Sequence, residues 1–143
     1  MKTEKIWCVT CNKYVDAELG LYGDIFPNRL EKAKLPIWIC PMCGNYVLTH
    51  SKTYRPVGVI GNKQIRIFRL AIHKQLGKAC QDSTLTIRDC YGVMSAVLGY
   101  KFHSGKLKTI NEALKALKIA SRINEKKALL ETMKEHGRKL VLN

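Results

Sequence analysis

Two cysteine pairs constrain this chain more than any other feature. Cys8 and Cys11 form one C-x-x-C, and Cys40 and Cys43 form a second. The second reads Cys40-Pro41-Met42-Cys43-Gly44, with proline inside the turn and glycine directly after it. A tight turn lets both sulfurs of a pair face one ion, and four thiolates complete the tetrahedral shell of a structural zinc. Gly44 supplies a backbone angle that side chains resist. The expected cofactor is therefore one structural zinc ion held by Cys8, Cys11, Cys40 and Cys43. Four thiolates leave no position for a reactive water, so the metal is expected to build the fold and not to catalyse. Disulfides and a redox motif are the alternatives. Met1-Lys2-Thr3-Glu4-Lys5 is charged and lacks the apolar core of a secretory leader, which points to the reducing cytoplasm, where thiols stay free. A thioredoxin-type motif occurs once, after a strand of a βαβ unit, whereas here the pair recurs.

The patterning around the pairs is that of short strands. Lys5 to Trp7 leads into the first pair, and Tyr14 to Leu19 alternates as a half-buried strand does. Tyr22-Gly23-Asp24 has turn chemistry. Pro36 to Ile39 enters the second pair and Asn45 to Thr49 leaves it. So small a sheet has little core of its own, and a metal replaces what is missing. Pro56, Gly58 and Gly61 then mark an extended connector, after which the period becomes helical. Asn62 caps a helix whose stripe is Ile65, Phe68, Ile72 and Leu76 and which Gly77 ends. Thr86 and Asp89 open a second helix, Ile87 to Leu98, stopped at Gly99. Thr109 and Glu112 open a third, Ile110 to Ala120, with Ile110, Ala113, Leu114 and Leu117 as its stripe. Asn124 caps a fourth, Glu125 to His136. The fold class is α+β: a zinc-ribbon β unit over residues 1–55, then a basic bundle of three to four helices over residues 56–143, packed as one compact unit.

Charge points to the kind of partner. The formal net charge is +14, with 25 Lys and Arg against 11 Asp and Glu. Residues 61–143 carry seventeen of those bases and six of the acids. Such an excess predicts attraction to nucleic acid or to an acidic protein surface. No apolar run approaches a membrane span. On the first helix Asn62, Arg66, Arg69 and His73 share a face apart from the apolar stripe, and two guanidiniums at i and i+3 suit phosphates or carboxylates. They equally suit acids of the chain itself. Lys108, Lys115, Lys118 and Arg122 line the solvent side of the third helix. Arg66, Arg69, His73, Lys108, Lys115, Lys118 and Arg122 are the candidate partner-binding residues. Trp7, Trp38, Tyr22, Tyr46 and Tyr54 fit a small β core better than a base-stacking platform. His50 is a spare ligand to a site that four cysteines already fill. Cys80, Cys90, His73 and His103 have no regular metal spacing. No phosphate-binding glycine loop, H-E-x-x-H or zinc-deaminase signature occurs, and no catalytic residue is assigned. The chain is not expected to be an enzyme.

The order of several residues resembles a family of small zinc-finger-containing proteins of phages and other bacterial mobile elements. The carrying residues are Cys8 and Cys11, Tyr22-Gly23, Cys40 and Cys43, Tyr46-Val47 with His50, and Pro56 and Gly58. Asn62, Arg66, Arg69 and His73 follow, then Tyr91, Leu98-Gly99, and His103 with Gly105. The chain departs from the family at Leu76 and Gly77, where the family tends to an aromatic and an acid. It departs again at Ile87, where the family tends to arginine. These departures bear on any shared acidic site and leave the metal untouched. The resemblance implies a metal-held fold and life in a bacterial host cell. Two functions are compatible with it. One is a non-enzymatic, anti-CRISPR-like inhibitor that binds a host defence or nucleic-acid-handling complex, such as a CRISPR effector, and blocks loading of target DNA. The other is a zinc-ribbon module that binds DNA or RNA through its basic surface. The inhibitor is the leading expectation, because no recognition helix or tandem finger reads bases here.

Overall fold

The computed structural model describes residues 2–142. The chain divides into two compact units, Met1–Ile65 and Arg66–Asn143.

The first unit is an antiparallel meander. Strands β1 (Thr3–Cys8), β2 (Lys13–Leu21), β3 (Pro36–Ile39) and β4 (Tyr46–Leu48) lie in the order β1-β2-β3-β4. Ile6 faces Val15 across β1 and β2, and Trp38 faces Val47 across β3 and β4. Alternation places Ile6 and Cys8 of β1, and Val15 and Ala17 of β2, in one buried cluster with Trp38, Cys40, Val47 and Ile60. On β3 neighbouring Ile37 and Trp38 are both fully buried, so this strand is covered on both faces. The Trp38 indole N–H donates to the Tyr54 carbonyl at 2.6 Å, which satisfies its one polar atom. Tyr22, Phe26 and Tyr46 form a second aromatic group with centroids 4.8 to 6.0 Å apart. Four of the five aromatics considered for stacking (Trp7, Trp38, Tyr22 and Tyr46) thus pack at least partly within the unit, and Tyr54 remains the exposed one.

The long insert between the cysteine pairs is ordered. The expected turn at Tyr22-Gly23-Asp24 is a single helical turn, α1 (Tyr22–Ile25), in which the Asp24 carboxylate accepts the Leu21 N–H at 2.9 Å. Gly23 donates to the Ala33 carbonyl at 3.0 Å, and a Cβ at Gly23 would stand 3.0 Å from that oxygen. A 3₁₀ turn at Leu30–Lys32 completes the insert.

The helices are α2 (Lys63–Cys80), α3 (Ile87–Leu98), α4 (Ile110–Glu125) and α5 (Lys127–Glu135). Three boundaries differ from the sequence expectation. Gly77 does not end α2. It lies on an open side of the helix, and buried Leu76 and Ala79 carry the apolar stripe to Cys80. The third helix does not stop at Ala120. Buried Ile119, Ala120 and Ile123 extend its inner face through Glu125. That extension takes in Asn124, which caps nothing and instead donates from its amide to Gln75 at 3.1 Å. Helix α5 then starts from Lys126 without a side-chain cap. The inner face of α4 is also rotated from the expected one: Ala113, Ala116 and Ala120 are buried and Leu114 is exposed. Small side chains let a neighbouring helix approach closely, and α3 packs on α4. The Thr86–Asp89 capping box is as expected, with Asp89 accepting the Thr86 N–H at 2.9 Å, and at the start of α4 the Glu112 carboxylate accepts the Lys108 N–H. Thr86 accepts from Asp89 and Thr109 from Glu112, both at 3.1 Å, and Gly99 ends α3 at φ +83°.

Candidate metal centre

The two hairpins of the sheet present their tips to each other. Cys8 ends β1 and Cys11 follows in the turn to β2. Cys40 follows β3 and Cys43 precedes β4. The two turns repeat one backbone design. Asn12 N–H donates to the Cys8 carbonyl at 2.8 Å, and Gly44 N–H to the Cys40 carbonyl at 2.9 Å. Each turn closes through a left-handed residue directly after its second cysteine, Gly44 at φ +79° and Asn12 at φ +55°. Glycine and asparagine are the two residues that adopt this region most readily. Asn12 is therefore the counterpart of Gly44, which the sequence pattern alone did not single out.

The four sulfurs lie within 4.8 Å of one another. Cys8 and Cys43 are 3.5 Å apart, and Cys11 and Cys40 are 3.7 Å apart. Zinc–sulfur bonds of about 2.3 Å in a tetrahedron set the sulfurs about 3.8 Å apart. The two shortest separations are close to that spacing, and these pairings cross between the two turns. Disulfides within each pair are not what the geometry offers: all six cysteines are free. Cys8 and Cys40 are buried, Cys11 is half-buried and Cys43 is at the surface. Asn45 braces the exposed corner. Its side-chain amide donates to Cys43 Sγ at 3.3 Å and to Thr10 Oγ1 at 2.9 Å, while its backbone carbonyl accepts from Cys40 N–H at 2.8 Å.

The thiols are unequal before any metal is considered. Burial pushes Cys8 up to about 12, and burial with a hydrogen bond to Cys40 raises Cys11. Burial would raise Cys43 too, but the backbone N–H of Asn45 and sulfur and amide donors around it bring it down to about 7. Cys43 is the thiolate that forms first, and its negative charge opposes the next ionisation. A divalent cation removes that conflict and binds all four as thiolates.

The profile of the zinc-finger-containing domain family matches residues 3–122, and the chain belongs to that family. The matched span takes in all four cysteines. Neither the curated proteins nor the solved structures yield a match to this chain. Together the family and the cluster assign one structural zinc ion to Cys8, Cys11, Cys40 and Cys43. No helix among the described residues is long and apolar enough to cross a membrane.

The candidate partner-binding residues divide by what they touch. Arg69 is turned inward. Its Nε donates to the Ser104 carbonyl at 3.1 Å and its terminal nitrogen to the Gly105 carbonyl at 3.2 Å. Burial, with Arg66 nearby, lowers its pKa from the ordinary guanidinium value. His73 Nε2 lies 2.8 Å from Ser104 Oγ, which also meets the Tyr91 hydroxyl at 3.3 Å. Arg69 and His73 thus fasten the loop between α3 and α4 to α2. Ser104 is the buried polar side chain at the hub, and it carried no signal in the sequence. His103 accepts the Gly105 N–H at 3.1 Å, and Cys80 and Cys90 lie 3.7 Å apart. Among the described residues these groups form no second ligand cluster.

Lys115, Lys118 and Arg122 are exposed along α4, with Lys108 half-buried before its first turn. Lys108 and Lys115 border a cleft of about 420 Å³ between α4 and the preceding loop. Tyr100, Lys101 and Lys106 join them there. Tyr100 and Lys101 lie on irregular backbone and Lys106 ends a single 3₁₀ turn, Ser104–Lys106, where spacing gives no sign of which side chains meet.

Proposed function

We propose that this protein acts by binding and not by catalysis: a zinc-held sheet unit accompanies a basic helical unit that engages nucleic acid. The observation that carries this reading is the cleft beside α4. Lys101, Lys106, Lys108 and Lys115 border it with Glu112 as the acid, in the part of the chain where the positive charge concentrates. Lysines around a concave surface supply salt-sensitive attraction to phosphates and need no base-reading helix. Fluorescence anisotropy of the zinc-loaded chain with labelled DNA and RNA, from about 50 to 200 mM salt, tests it. Four phosphate contacts predict a loss of affinity of about a hundredfold over that range. Binding that stays flat with salt, or no binding at about 50 mM, contradicts it.

A second reading has one observation in its favour. Ile67 and Leu70 sit at i and i+3 on α2 and are 57% and 72% exposed. Apolar side chains among basic ones suit the anchors of a protein interface. That fits an anti-CRISPR-like inhibitor docking on an acidic surface of a host defence complex. It predicts a stable one-to-one complex with a purified CRISPR effector and loss of target-DNA loading. An effector that loads DNA equally well in the protein's presence rules it out.

A further inference from the structure

The cleft beside α4 has more in it than charge. It lies between the 99–109 loop and the first turns of α4, and its floor includes buried Phe102 and Leu107. Tyr100 stands at its rim, 50% exposed. Phe102 and Tyr91 pack edge to face at 5.2 Å within the fold, so the loop already has its aromatic anchor. Among the described residues Tyr100 contributes no ring pair of that kind. Burial and the proximity of Glu112 push its phenol above the ordinary value, so the ring stays neutral beside a phosphate. Glu112 accepts the Lys108 N–H at 3.4 Å as part of the α4 cap, where the helix N-terminus offsets its charge. The volume falls within the range of small-ligand sites, about 300 to 1,000 Å³. A duplex presents its phosphates but hides the faces of its bases. An unpaired nucleotide offers both a phosphate and a planar face.

We propose that this cleft is a subsite for one unpaired nucleotide of a DNA or RNA strand, with its base stacked on Tyr100 and its phosphates met by Lys101, Lys106 and Lys115. This rests on the nucleic-acid reading above and narrows it to single strands. Stacking of a base on an aromatic side chain is sequence-tolerant, so the subsite selects strandedness and not sequence.

The test uses the full zinc-loaded chain, a labelled strand of about twelve thymidines and a duplex of the same length. The strand binds more tightly than the duplex. Tyr100→Ala weakens strand binding about five- to a hundredfold and leaves duplex binding unchanged, whereas Tyr100→Phe keeps the wild-type affinity. Lys106→Ala with Lys115→Ala weakens both and flattens the salt dependence. If the strand binds but Tyr100→Ala has no effect, or weakens strand and duplex alike, the subsite is wrong while the nucleic-acid reading stands. If neither nucleic acid binds at low salt, both fall together. Should Tyr100→Ala lose zinc or helicity, photocrosslinking of a bromouracil-substituted strand to the wild-type chain decides. Crosslinks within residues 100–115 support the subsite, and crosslinks confined to other segments overturn it.

Discussion

Single residues decide whether the two cysteine turns close. Gly44 has no side chain to resist φ +79°, and nothing stands within 4 Å of where a Cβ would be. The cost of Gly44→Ala is therefore backbone strain alone, about 1 to 2 kcal/mol. Chemical denaturation should show that loss with zinc still bound, and Asn12→Gly should be neutral or mildly stabilising because Asn12 occupies the same region. Asp89 sets a pH dependence. It accepts the Thr86 N–H at 2.9 Å and the Lys134 ammonium at 2.6 Å, and chiefly the Lys134 bond lowers its pKa. A carboxyl depressed in the folded state stabilises the fold above its unfolded pKa of about 3.9 and loses that contribution as pH falls through the lower folded value. Asp89→Asn should cost about 1 kcal/mol at pH 7, and the gap to wild type should close below about pH 4 in urea titrations. A gap that persists at low pH would show that the carboxylate charge is not responsible.

Elements differ in how much of them the sequence discloses. The strands around the cysteines were legible because short alternating runs entered and left two turns that a metal had to bring together. The starts of α3 and α4 were legible because Thr86 and Thr109 carry their partners Asp89 and Glu112 three residues on. The ends of α2 and α4 were not, although Gly99 marks the end of α3 as its composition suggests. Gly77 has the composition of a stop signal, yet a glycine on an open helix side costs only about 1 kcal/mol, which burial of Leu76 and Ala79 outweighs. Asn124 has the composition of a cap, yet the buried stripe of α4 runs past it. Helix α5 rests on the core through one buried residue, Leu130. Leu130→Ala should therefore cost about 2 to 5 kcal/mol and raise amide exchange first in Lys127–Glu135. Exchange unchanged in that segment would mean that α5 is held by the Lys134 contacts instead.

At the scale of the whole molecule, the candidate site was legible in one half and hidden in the other. The metal ligands could be named from spacing because C-x-x-C turns are local. The basic surface could be named only as a charge excess. Arg69 and His73 belong to a hydrogen-bonded hub with Ser104 and Tyr91, and long-range contacts of that kind leave no local pattern. Lys108 and Lys115 meet Tyr100, Lys101 and Lys106 only after the loop folds back on α4. The units differ in what their cores contain: the sheet unit buries Cys8 and Cys40 of the metal site within its apolar cluster, and the helical unit buries Ile72, Leu76, Met94, Ile123 and Leu130. The central claim is that four sulfurs hold one ion on which the sheet unit depends. Native mass spectrometry of freshly purified, reduced protein, paired with circular dichroism of Cys40→Ser, tests it most directly. One zinc per chain in the wild type, and a variant that loses both the ion and the sheet signal, is the predicted result. A metal-free wild type, or a metal-free variant with its sheet intact, would contradict it.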